Sequence, residues 1–584
     1  MEKYEKVRAL EEKSKDGKKV IKIISDNKEL YVGSKYNVQR DIDNFIKKIE
    51  EQKNTKKLII FGLAAGEHIR EIIKRNSSDI DILIVEPCES IVELMDKDYD
   101  FTNILKNNNI KIVRFNKKEI YKELNAFFSE RDINGVVVQV YANYASIFRK
   151  EIDEFYEVYK SLLLDKNVQK NTRLEFGKTW FNSLMLGLKF FATEHFVNDY
   201  KDKYKNVPAI IVSAGPSLSK NINELQKVDS NFLILPGGRT VKHLMEIGVE
   251  PSFLTVVDPG EISYTLVEDV IEKIDTPLVC YEGTNKKVLK KHKGEKILFT
   301  QQEELNRVLN KDIGNLSSGG SVAHISTMFA LKMGCNPIIF IGQDCAYTGD
   351  KLHADEVYHN GEYVGKMKVD VGDSYVPSVD GGLVRTSIVL DGFRRYMETI
   401  VYENKDVVFI NATEGGARIE GTIEMPLKDV LCKYGKNKIN NNIELEDVNV
   451  KERKDKIKKF LREYISNFNI IIDNCNKGIV LLEEFYNNVK LGKKIDKDIK
   501  KLNLIDKVLE ETCFKVELIN DVIYPITYQL ANNEDYIIDS KEEEIVRVEK
   551  YYNRNNFLYT ELRKIIRESI KIVENALEEL EGDI

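Results

Sequence analysis

The stretch Pro208-Ala-Ile-Ile-Val-Ser-Ala-Gly-Pro-Ser-Leu218 decides the fold predicted for this chain. Residues 209–212 form a short apolar run that predicts a buried strand, and Gly215 with Pro216 predicts a tight turn after it. A helix then begins near Ser217. Such a strand, glycine turn and helix start point backbone N–H groups and the positive end of the helix dipole into one crevice. The stretch therefore predicts an anion site for a nucleotide-type donor at the carboxyl ends of a parallel sheet.

Around this stretch, residues 207–436 alternate short apolar runs with helical segments. Such alternation is typical of a doubly wound α/β sheet with right-handed crossovers. Turn residues also concentrate here, since nine of the 11 prolines lie between Pro208 and Pro426. The predicted strands are residues 209–212, 232–235, 253–257, 277–281, 296–299, 338–341 and 407–410, and the predicted helices are residues 218–227, 240–247, 264–273, 302–309, 321–333 and 386–403.

Five polar, glycine-rich clusters lie at the ends of these predicted strands or in the loops beside them. Because the carboxyl ends of parallel strands share one edge of a sheet, we expect the clusters to converge on one crevice. Two have a second interpretation, since Ser317-Ser-Gly-Gly-Ser321 is also a helix cap and Asp258 before a proline is also turn chemistry. The candidate donor-binding residues are Ser213, Gly215, Pro216, Ser217, Asp258, Ser318, Gly319, Gln343, Asp344, Asn411, Glu414 and Arg418.

One long interruption of the pattern, residues 343–385, has neither helical nor strand periodicity. Long irregular loops in compact domains are usually functional or disordered, and this one is rich in aromatic and ionisable groups. Tyr347 lies near its start, and His353 and His359 lie further along it. An isolated histidine is more often structural than catalytic, but these two belong to a loop that faces the predicted crevice. Tyr347, His353 and His359 are therefore the candidate catalytic residues.

Residues 1–165 predict a smaller, Rossmann-like α/β domain. Its apolar runs are continuous rather than alternating, which indicates a parallel sheet covered on both faces. Gly62 and Gly66 follow the second run and Glu86 follows the third, as in a nucleotide-binding Rossmann unit. Glycines at this spacing are also common where a helix packs against a sheet, so a scaffold without a cofactor is favoured. The runs are residues 20–24, 58–61, 80–85, 110–113 and 136–140.

The rest of the chain has helical patterning. Residues 166–206 predict a helical connector, which we group with the central catalytic domain as residues 166–436. Residues 437–584 are rich in Lys, Glu, Asn and Ile at helical spacing, and predict an all-α domain that packs against a partner or the other domains. No catalytic constellation is visible in that last part of the sequence.

Composition excludes several classes of protein. The 584 residues carry a net charge of -7, which argues against a nucleic-acid binder, because phosphate neutralisation needs a basic face. The seven cysteines are scattered without a CxxC motif, as in a reduced, cytoplasmic protein. The sequence also shows no signal peptide and no apolar run long enough for membrane insertion.

Three motifs of the central part together resemble the motility accessory factor family, whose members are flagellin glycosyltransferases that attach nonulosonic acids to Ser or Thr. The motifs are Ser213-Ala-Gly-Pro-Ser-Leu218, Gly342-Gln-Asp-Cys-Ala-Tyr-Thr-Gly349 followed by His353, and Asn411-Ala-Thr-Glu-Gly-Gly-Ala417. The three-part layout with a helical C-terminus also fits that family.

The central domain is also distantly similar to bacterial CMP-sialic-acid-dependent sialyltransferases. Gly215-Pro-Ser-Leu218, Ser318-Gly319 and Gly342-Gln-Asp344 match their motifs. Ala214 and Asp258 stand where those enzymes have asparagine. Tyr347 lies one residue later than their phosphate-contacting tyrosine.

The resemblance implies inverting transfer of a pseudaminic- or legionaminic-type nonulosonic acid from its CMP-activated form to flagellin, as flagellar assembly and motility require. It implies no metal and no cofactor, because helix starts and Tyr347 would stabilise the single phosphate of the leaving CMP. His353, which matches the family motif, is the first choice of general base for the acceptor hydroxyl, and His359 is the second. Arg418 would pair with a carboxylate.

Two other functions stay open at this point. A pterin-type diphosphokinase would move pyrophosphate from ATP, with Asp258 and Asp344 as magnesium ligands. A non-enzymatic flagellin-binding protein would instead act through its helical C-terminus. Chelation separates the two enzymes, because it abolishes diphosphokinase activity and spares metal-independent sugar transfer.

Overall fold

The computed structural model describes residues 8–25, 28–52, 55–75, 80–228, 230–317, 319–358, 367–370, 372–435, 443–539 and 542–582. The chain divides into two compact units. Unit 1 consists of residues 1–175 and 524–558, and unit 2 of residues 176–523 and 559–584. The boundary predicted near residue 165 lies inside one continuous helix, Arg149–Thr193. The division into three domains stays a prediction.

Unit 1 contains two separate sheets. Strands β1–β3 form an antiparallel sheet, and strands β4–β7 form a parallel sheet in the order β6-β5-β4-β7. The strands are β1 Arg8–Lys13, β2 Lys19–Ser25, β3 Lys28–Val32, β4 Lys57–Phe61, β5 Asp81–Glu86, β6 Ile110–Arg114 and β7 Val136–Val140. The helices in its first segment are α1 Val38–Glu50, α2 Glu67–Arg75, α3 Glu89–Met95, α4 Tyr99–Asn107, α5 Lys117–Phe127 and α6 Tyr144–Ile147, followed by α7 Arg149–Thr193, which continues into unit 2.

Four of the five apolar runs predicted for the parallel sheet of unit 1 form it. The run at residues 20–24 does not, because β2 is the middle strand of the antiparallel sheet. Its assignment to the parallel sheet is wrong. Lys22 interrupts this run and lies between the buried Ile21 and Ile23. Residues 21–24 thus alternate between buried and partly exposed side chains, as is typical of an antiparallel strand.

Unit 2 has two parallel sheets and a separate hairpin. The first sheet has the order β10-β9-β14-β17-β18, and the second has the order β11-β12-β13-β8. The strands are β8 His195–Phe196, β9 Ala209–Val212, β10 Leu233–Pro236, β11 Leu254–Thr255, β12 Leu278–Tyr281, β13 Lys296–Phe299, β14 Ile338–Ile341, β15 Ser374–Pro377, β16 Leu383–Thr386, β17 Phe409–Asn411 and β18 Ile423–Glu424. One parallel bridge, Gly237 to Thr255, joins the edge of β10 to that of β11.

Both faces of the first sheet are covered, in agreement with the doubly wound arrangement predicted from the alternation of strands and helices. Ala209 and Ile211 of β9 lie in one hydrophobic cluster, and Ile210 and Val212 lie in another. Successive side chains of a strand point to opposite faces, so the two clusters lie on the two sides of the sheet. The helices after the strands are α8 Leu218–Asn221, α9 Gly238–Glu246, α10 Glu261–Thr265, α11 Lys286–Lys291, α12 Glu303–Leu309, α13 Val322–Lys332, α14 Ile388–Glu403 and α15 Leu427–Tyr434.

The predicted irregular loop at residues 343–385 contains the antiparallel hairpin β15–β16. The hairpin escaped the sequence pattern because large apolar side chains, Tyr375 and Leu383, are exposed on it. Arg385 of β16 is buried and holds the loop together, since its guanidinium donates to the carboxylate of Asp373 at 2.6 Å and to the carbonyl of Met367 at 2.7 Å.

The C-terminal region is helical, as predicted. Its helices are α16 Val450–Lys490, α17 Asp496–Cys513, α18 Asn520–Asn532 and α19 Glu544–Glu581. Within unit 2, α16 packs on the α/β part through buried polar contacts. The guanidinium of Arg453 donates to the carbonyl of Glu194 at 2.8 Å, and the hydroxyl of Tyr464 donates to the carboxylate of Glu304 at 2.6 Å. Removing this region would therefore uncover part of the α/β core.

Two sequence expectations about the chain as a whole can be compared with the structure. All seven cysteines are free thiols. Among the helices of the described residues, none combines the length and apolar character that crossing a bilayer requires.

Candidate functional site

A cavity of about 390 Å³ lies in unit 2 at the carboxyl ends of β9, β10, β11 and β14. From β9 the chain builds strands β10 to β13 on one side, and it then returns to place β14 on the other side of β9. Ligands of open α/β sheets bind at such a reversal of strand order. Six of the predicted site residues line the cavity: Ser213, Gly215, Asp258, Gln343, Asp344 and His353.

The turns after β9 and β14 are packed against each other at Gly215. Its N–H donates to the carbonyl of Gly342 at 2.8 Å. A Cβ atom on Gly215 would lie 2.5 Å from that carbonyl oxygen and 2.2 Å from the Asp344 carboxylate. Gly342, with a φ of 61°, has the left-handed backbone, whereas Gly215 does not. Glycine is therefore required at position 215 by close backbone approach rather than by its φ.

Asp344 places a buried carboxyl group at the start of helix α8. It accepts hydrogen bonds from the Ser217 hydroxyl at 2.6 Å, from the Ser217 N–H at 3.2 Å, and from the Thr348 hydroxyl at 2.5 Å. Burial raises the pKa of Asp344 above its usual value. The acceptor at this helix start is thus the protein's own carboxyl group, and the Ser217 donors predicted to receive a phosphate donate to it. Pro216 and Ser217 do not line the cavity.

Gln343 is a buried polar side chain in the cavity wall. Its Oε1 accepts a hydrogen bond from the Ser213 hydroxyl at 2.5 Å, and its Nε2 donates to Cys345 Sγ at 3.2 Å. Its backbone N–H donates to the Thr413 hydroxyl at 3.2 Å. The bond to Gln343 orients the Ser213 side chain, so that its hydroxyl is held at the carboxyl end of β9.

Asp258 brings a carboxylate to the cavity from the end of β11. Its side chain is exposed at the cavity wall. The surrounding protein raises the pKa of Asp258 above its usual value, because it removes water from the carboxylate. Its carbonyl accepts the Ser263 hydroxyl at 2.7 Å and the Asn285 N–H at 3.1 Å, which secures the turn. Asp258 therefore both secures the turn and lines the cavity, and its role toward a ligand stays a prediction.

The cluster before α13 likewise has two roles, because it caps a helix and contributes residues to the cavity wall. Ser321 caps α13, since its hydroxyl accepts the Ala323 N–H at 3.3 Å, and Gly320 and Ser321 line the cavity. Gly319 does not line it, because its backbone lies against the ring of Tyr396, where a Cβ would be 2.3 Å from the ring. Ser318 lies outside the described residues.

Of the three predicted catalytic residues, His353 lines the cavity. Its backbone N–H donates to the hydroxyl of Tyr358 at 3.3 Å, and the two rings meet edge to face at 5.9 Å. Tyr347 does not line the cavity, because its ring stacks with the guanidinium of Arg385 at 4.5 Å and its N–H donates to the Arg385 carbonyl. His359 lies outside the described residues.

Asn411, Glu414 and Arg418, which follow the last predicted strand, do not line the cavity. Asn411 is buried, with its Oδ1 accepting the Thr413 N–H at 3.1 Å, while Glu414 is exposed. Arg418 is exposed and pairs with Glu424 at 3.2 Å. The reason is strand order: β17 lies on the side of β14 away from β10 and β11, and the cavity extends toward those two strands.

Sequence reasoning missed the start of α9, where Gly237, Gly238, Arg239 and Thr240 all line the cavity. The signal was present, because Pro236-Gly-Gly-Arg-Thr240 follows the predicted strand at residues 232–235. A glycine pair at a strand end, followed by a cation in the first helical turn, is typical of an anion-binding turn.

In unit 1, side chains of the protein occupy the space beside the Rossmann-like glycine turn. A Cβ on Gly62 would lie 2.5 Å from the ring of Tyr144. The buried carboxylate of Glu86 accepts the Tyr144 hydroxyl at 2.6 Å and the Leu63 N–H at 2.8 Å. Burial raises the pKa of Glu86 to about 7. These contacts favour the scaffold interpretation of this turn. Across the described residues, no group of three or more His, Cys, Asp or Glu side chains is placed to hold a metal ion.

A solved structure shares the fold of this chain. The solved structure of MAf glycosyltransferase from Magnetospirillum magneticum AMB-1 matches 99% of this chain and 93% of its own chain, with a TM-score of 0.58 and 14% sequence identity. The fold is that of a MAf glycosyltransferase. The resemblance to the motility accessory factor family predicted from the motifs is thereby confirmed at the level of the fold.

A second comparison concerns the central part of the chain. The family described as 6-hydroxymethylpterin diphosphokinase MptE-like matches residues 182–350. This range includes the turns after β9, β11 and β14, and it ends before His353. Among curated protein sequences, none matched the chain.

Proposed function

We propose that this chain is a glycosyltransferase that moves a nonulosonic acid of the pseudaminic or legionaminic type from its CMP-activated form to Ser or Thr of flagellin. The observation that carries the proposal is the cavity at the strand-order reversal, where Ser213, Asp258 and His353 converge in a fold shared with a MAf glycosyltransferase. A volume of about 390 Å³ lies in the range of small-molecule sites. The cytoplasmic location stays a prediction.

The proposed placement of the donor follows from the chemistry of the walls. The start of α13, with Gly320 and Ser321, presents helix N-terminal dipoles to the cavity and suits the phosphate of CMP. The apolar wall formed by Ile262 and Leu266 suits the face of a nucleobase. The helix start at Ser217, where Asp344 already lies, is left out of this assignment.

The proposed reaction breaks the bond between the anomeric carbon and the phosphate oxygen, and CMP leaves with both bonding electrons. The acceptor hydroxyl oxygen bonds to the anomeric carbon from the opposite face, which inverts the configuration. Its proton passes to His353, the histidine of the cavity wall. Since charge develops on the leaving phosphate, the helix start at Ser321 stabilises the transition state without a metal.

Transfer to flagellin tests the proposal directly. Purified chain is incubated with flagellin and a CMP-activated nonulosonic acid, with and without EDTA, and the intact mass of flagellin is measured. We expect added mass of whole nonulosonic acid residues in both samples, with CMP released. Binding of flagellin without affinity for CMP or ATP would instead support the non-enzymatic flagellin-binding alternative.

The match of residues 182–350 to a pterin diphosphokinase family favours one second candidate, an ATP-dependent diphosphokinase. Its predicted magnesium ligands were Asp258 and Asp344. The Asp344 carboxylate accepts hydrogen bonds from Ser217 and Thr348, which leaves it less suited to hold a metal. Magnesium-dependent release of AMP from ATP in the presence of a hydroxymethylpterin would establish this alternative and displace our proposal.

A further inference from the structure

One side chain stands out by its charge among those that form the cavity wall. Within the part of the chain that the structure describes, Arg239 is the one lysine or arginine that lines the cavity. Two carboxyl groups line the same cavity, those of Asp258, at the end of β11, and of Asp344, whose oxygens accept bonds from Ser217 and Thr348. Arg418, the arginine predicted from the sequence to pair with a carboxylate, is exposed and outside the cavity.

The position of Arg239 is fixed by the first turn of α9. The Thr240 side chain is buried, and its hydroxyl bonds to the Val212 carbonyl at 3.3 Å and to the Gly237 carbonyl at 3.1 Å. The first contact ties α9 to the end of β9. Arg239 is therefore carried by a helix turn that is anchored to the central strand of the site.

The glycines before Arg239 bring this turn close to the start of α13. A Cβ on Gly237 would lie 3.2 Å from Val322 Cγ1, and one on Gly238 would lie 3.0 Å from Val267 Cγ1. A larger residue at position 237 would crowd the start of α13, and one at position 238 would crowd Val267 in the turn after α10. The turn that carries Arg239 and the Ser321 turn are thus held next to each other at the cavity.

We propose that Arg239 binds an oxyanion group of the donor and makes the site selective for an anionic donor over a neutral one. This inference rests on the proposed glycosyltransferase function and deepens it. A CMP-linked nonulosonic acid offers two such groups, the phosphate and the sugar carboxylate. The planar guanidinium donates two parallel N–H bonds to either, which a point charge such as lysine does not reproduce.

The test measures affinities of the full chain by calorimetry for cytidine, CMP and CMP-N-acetylneuraminate. The variants are Arg239→Ala and Arg239→Lys. The matched control is Lys242→Ala, which removes a positive charge from the same helix but affects a residue outside the cavity that pairs with Asp269. Thermal melting of each variant checks that it is folded.

We expect Arg239→Ala to weaken CMP binding roughly 10- to 100-fold while cytidine binding changes less than about twofold, which is the size of a lost charge-assisted hydrogen bond. That result would show that Arg239 binds the phosphate. If CMP affinity is unchanged and the affinity for CMP-N-acetylneuraminate falls by a similar factor, Arg239 binds the sugar carboxylate. Arg239→Lys should show a smaller loss for the same ligand, and it carries the test if Arg239→Ala does not fold.

Three outcomes would overturn the inference, and they differ in their consequence for the proposed function. If both Arg239 variants bind all three ligands as the wild type does, the assignment of Arg239 is wrong and the proposed function is unaffected. If the wild type binds neither CMP nor the CMP-sugar, the proposed function fails and takes this assignment with it. An equal loss in Lys242→Ala would reduce the effect to net charge and also contradict it.

Discussion

The turns after β9 and β14 meet at Gly215, and a single added methyl group tests how closely they are packed. In Gly215→Ala the new Cβ would lie 2.5 Å from the Gly342 carbonyl oxygen and 2.2 Å from the Asp344 carboxylate. Ordinary van der Waals contact begins at 3.4 Å. The two turns must therefore separate by about 1 Å, because a backbone carbonyl has no rotamer to move away.

The cost of this separation can be worked out from the bonds that it stretches. Overpacking a well-filled region costs about 1–3 kcal/mol. The separation also weakens the 2.8 Å bond from the Gly215 N–H to Gly342 and the 2.6 Å bond from Ser217 to Asp344, each net worth about 1–2 kcal/mol. We expect a loss of about 3 kcal/mol. For a domain of the size of unit 2 this lowers the melting temperature by roughly 4 °C.

Differential scanning calorimetry of the full chain measures the melting temperature, and titration with CMP measures affinity. Gly392→Ala is the matched control, because it adds the same methyl group to α14 where the space around it is open. That variant should be unchanged or slightly more stable, since alanine favours a helix. A Gly215→Ala protein with wild-type melting temperature and CMP affinity would refute the close packing of the two turns.

Three further predictions concern other parts of unit 2. His353→Ala should leave CMP affinity nearly unchanged and reduce transfer to flagellin by roughly 10²- to 10⁴-fold, with a smaller loss at high pH; a normal transfer rate would remove it as general base. Arg418→Ala, at an exposed ion pair outside the cavity, should change CMP affinity less than about twofold, and a larger loss in calorimetry would place it at the donor. Burial raises the pKa of Glu282 to about 7, so its contribution to stability is present below about pH 4.5 and is lost as the pH rises to about 7. In Glu282→Gln this pH dependence should disappear, so the stability of the variant relative to the wild type should rise by roughly 3 kcal/mol between about pH 4.5 and about pH 7. Melting temperatures of the two proteins measured across this pH range check it, and a constant difference between them would contradict it.

The strands that the sequence predicted well are those with a continuous apolar run. The predicted limits of β9 and β14 agree with the structure, because all four residues of each strand are buried. Two-residue strands such as β8 and β18 are too short to produce a periodic pattern. They form because a neighbouring strand offers its edge, which is a property of the tertiary structure.

The site could be predicted in part for the same reason. A polar turn after an apolar strand is visible in the sequence, so Ser213, Asp258 and Gln343 were found. Which strand ends lie side by side depends on strand order, and no local pattern contains that order. The Asn411–Arg418 turn was therefore included although β17 carries it away from the cavity, and the Arg239 turn was left out although β10 brings it in.

Asp344 shows a further limit of local reasoning. Its carboxylate fills the helix start at Ser217, a partner 127 positions away in the sequence. From the sequence alone, a strand, a glycine turn and a helix start predict an unoccupied anion site. The structure shows that the protein's own Asp344 carboxyl group takes the donors of this helix start, so we propose the neighbouring turns as the donor site instead.

We propose that the cavity of unit 2 holds the CMP part of the donor, and a crystal structure of the full chain with CMP is the decisive experiment. We expect the nucleotide in the cavity between the ends of β9, β11 and β14, with its phosphate within hydrogen-bond distance of Arg239 or Ser321. A nucleotide bound instead at the Glu86 turn of unit 1, with the unit 2 cavity free of it, would show that this proposal is wrong.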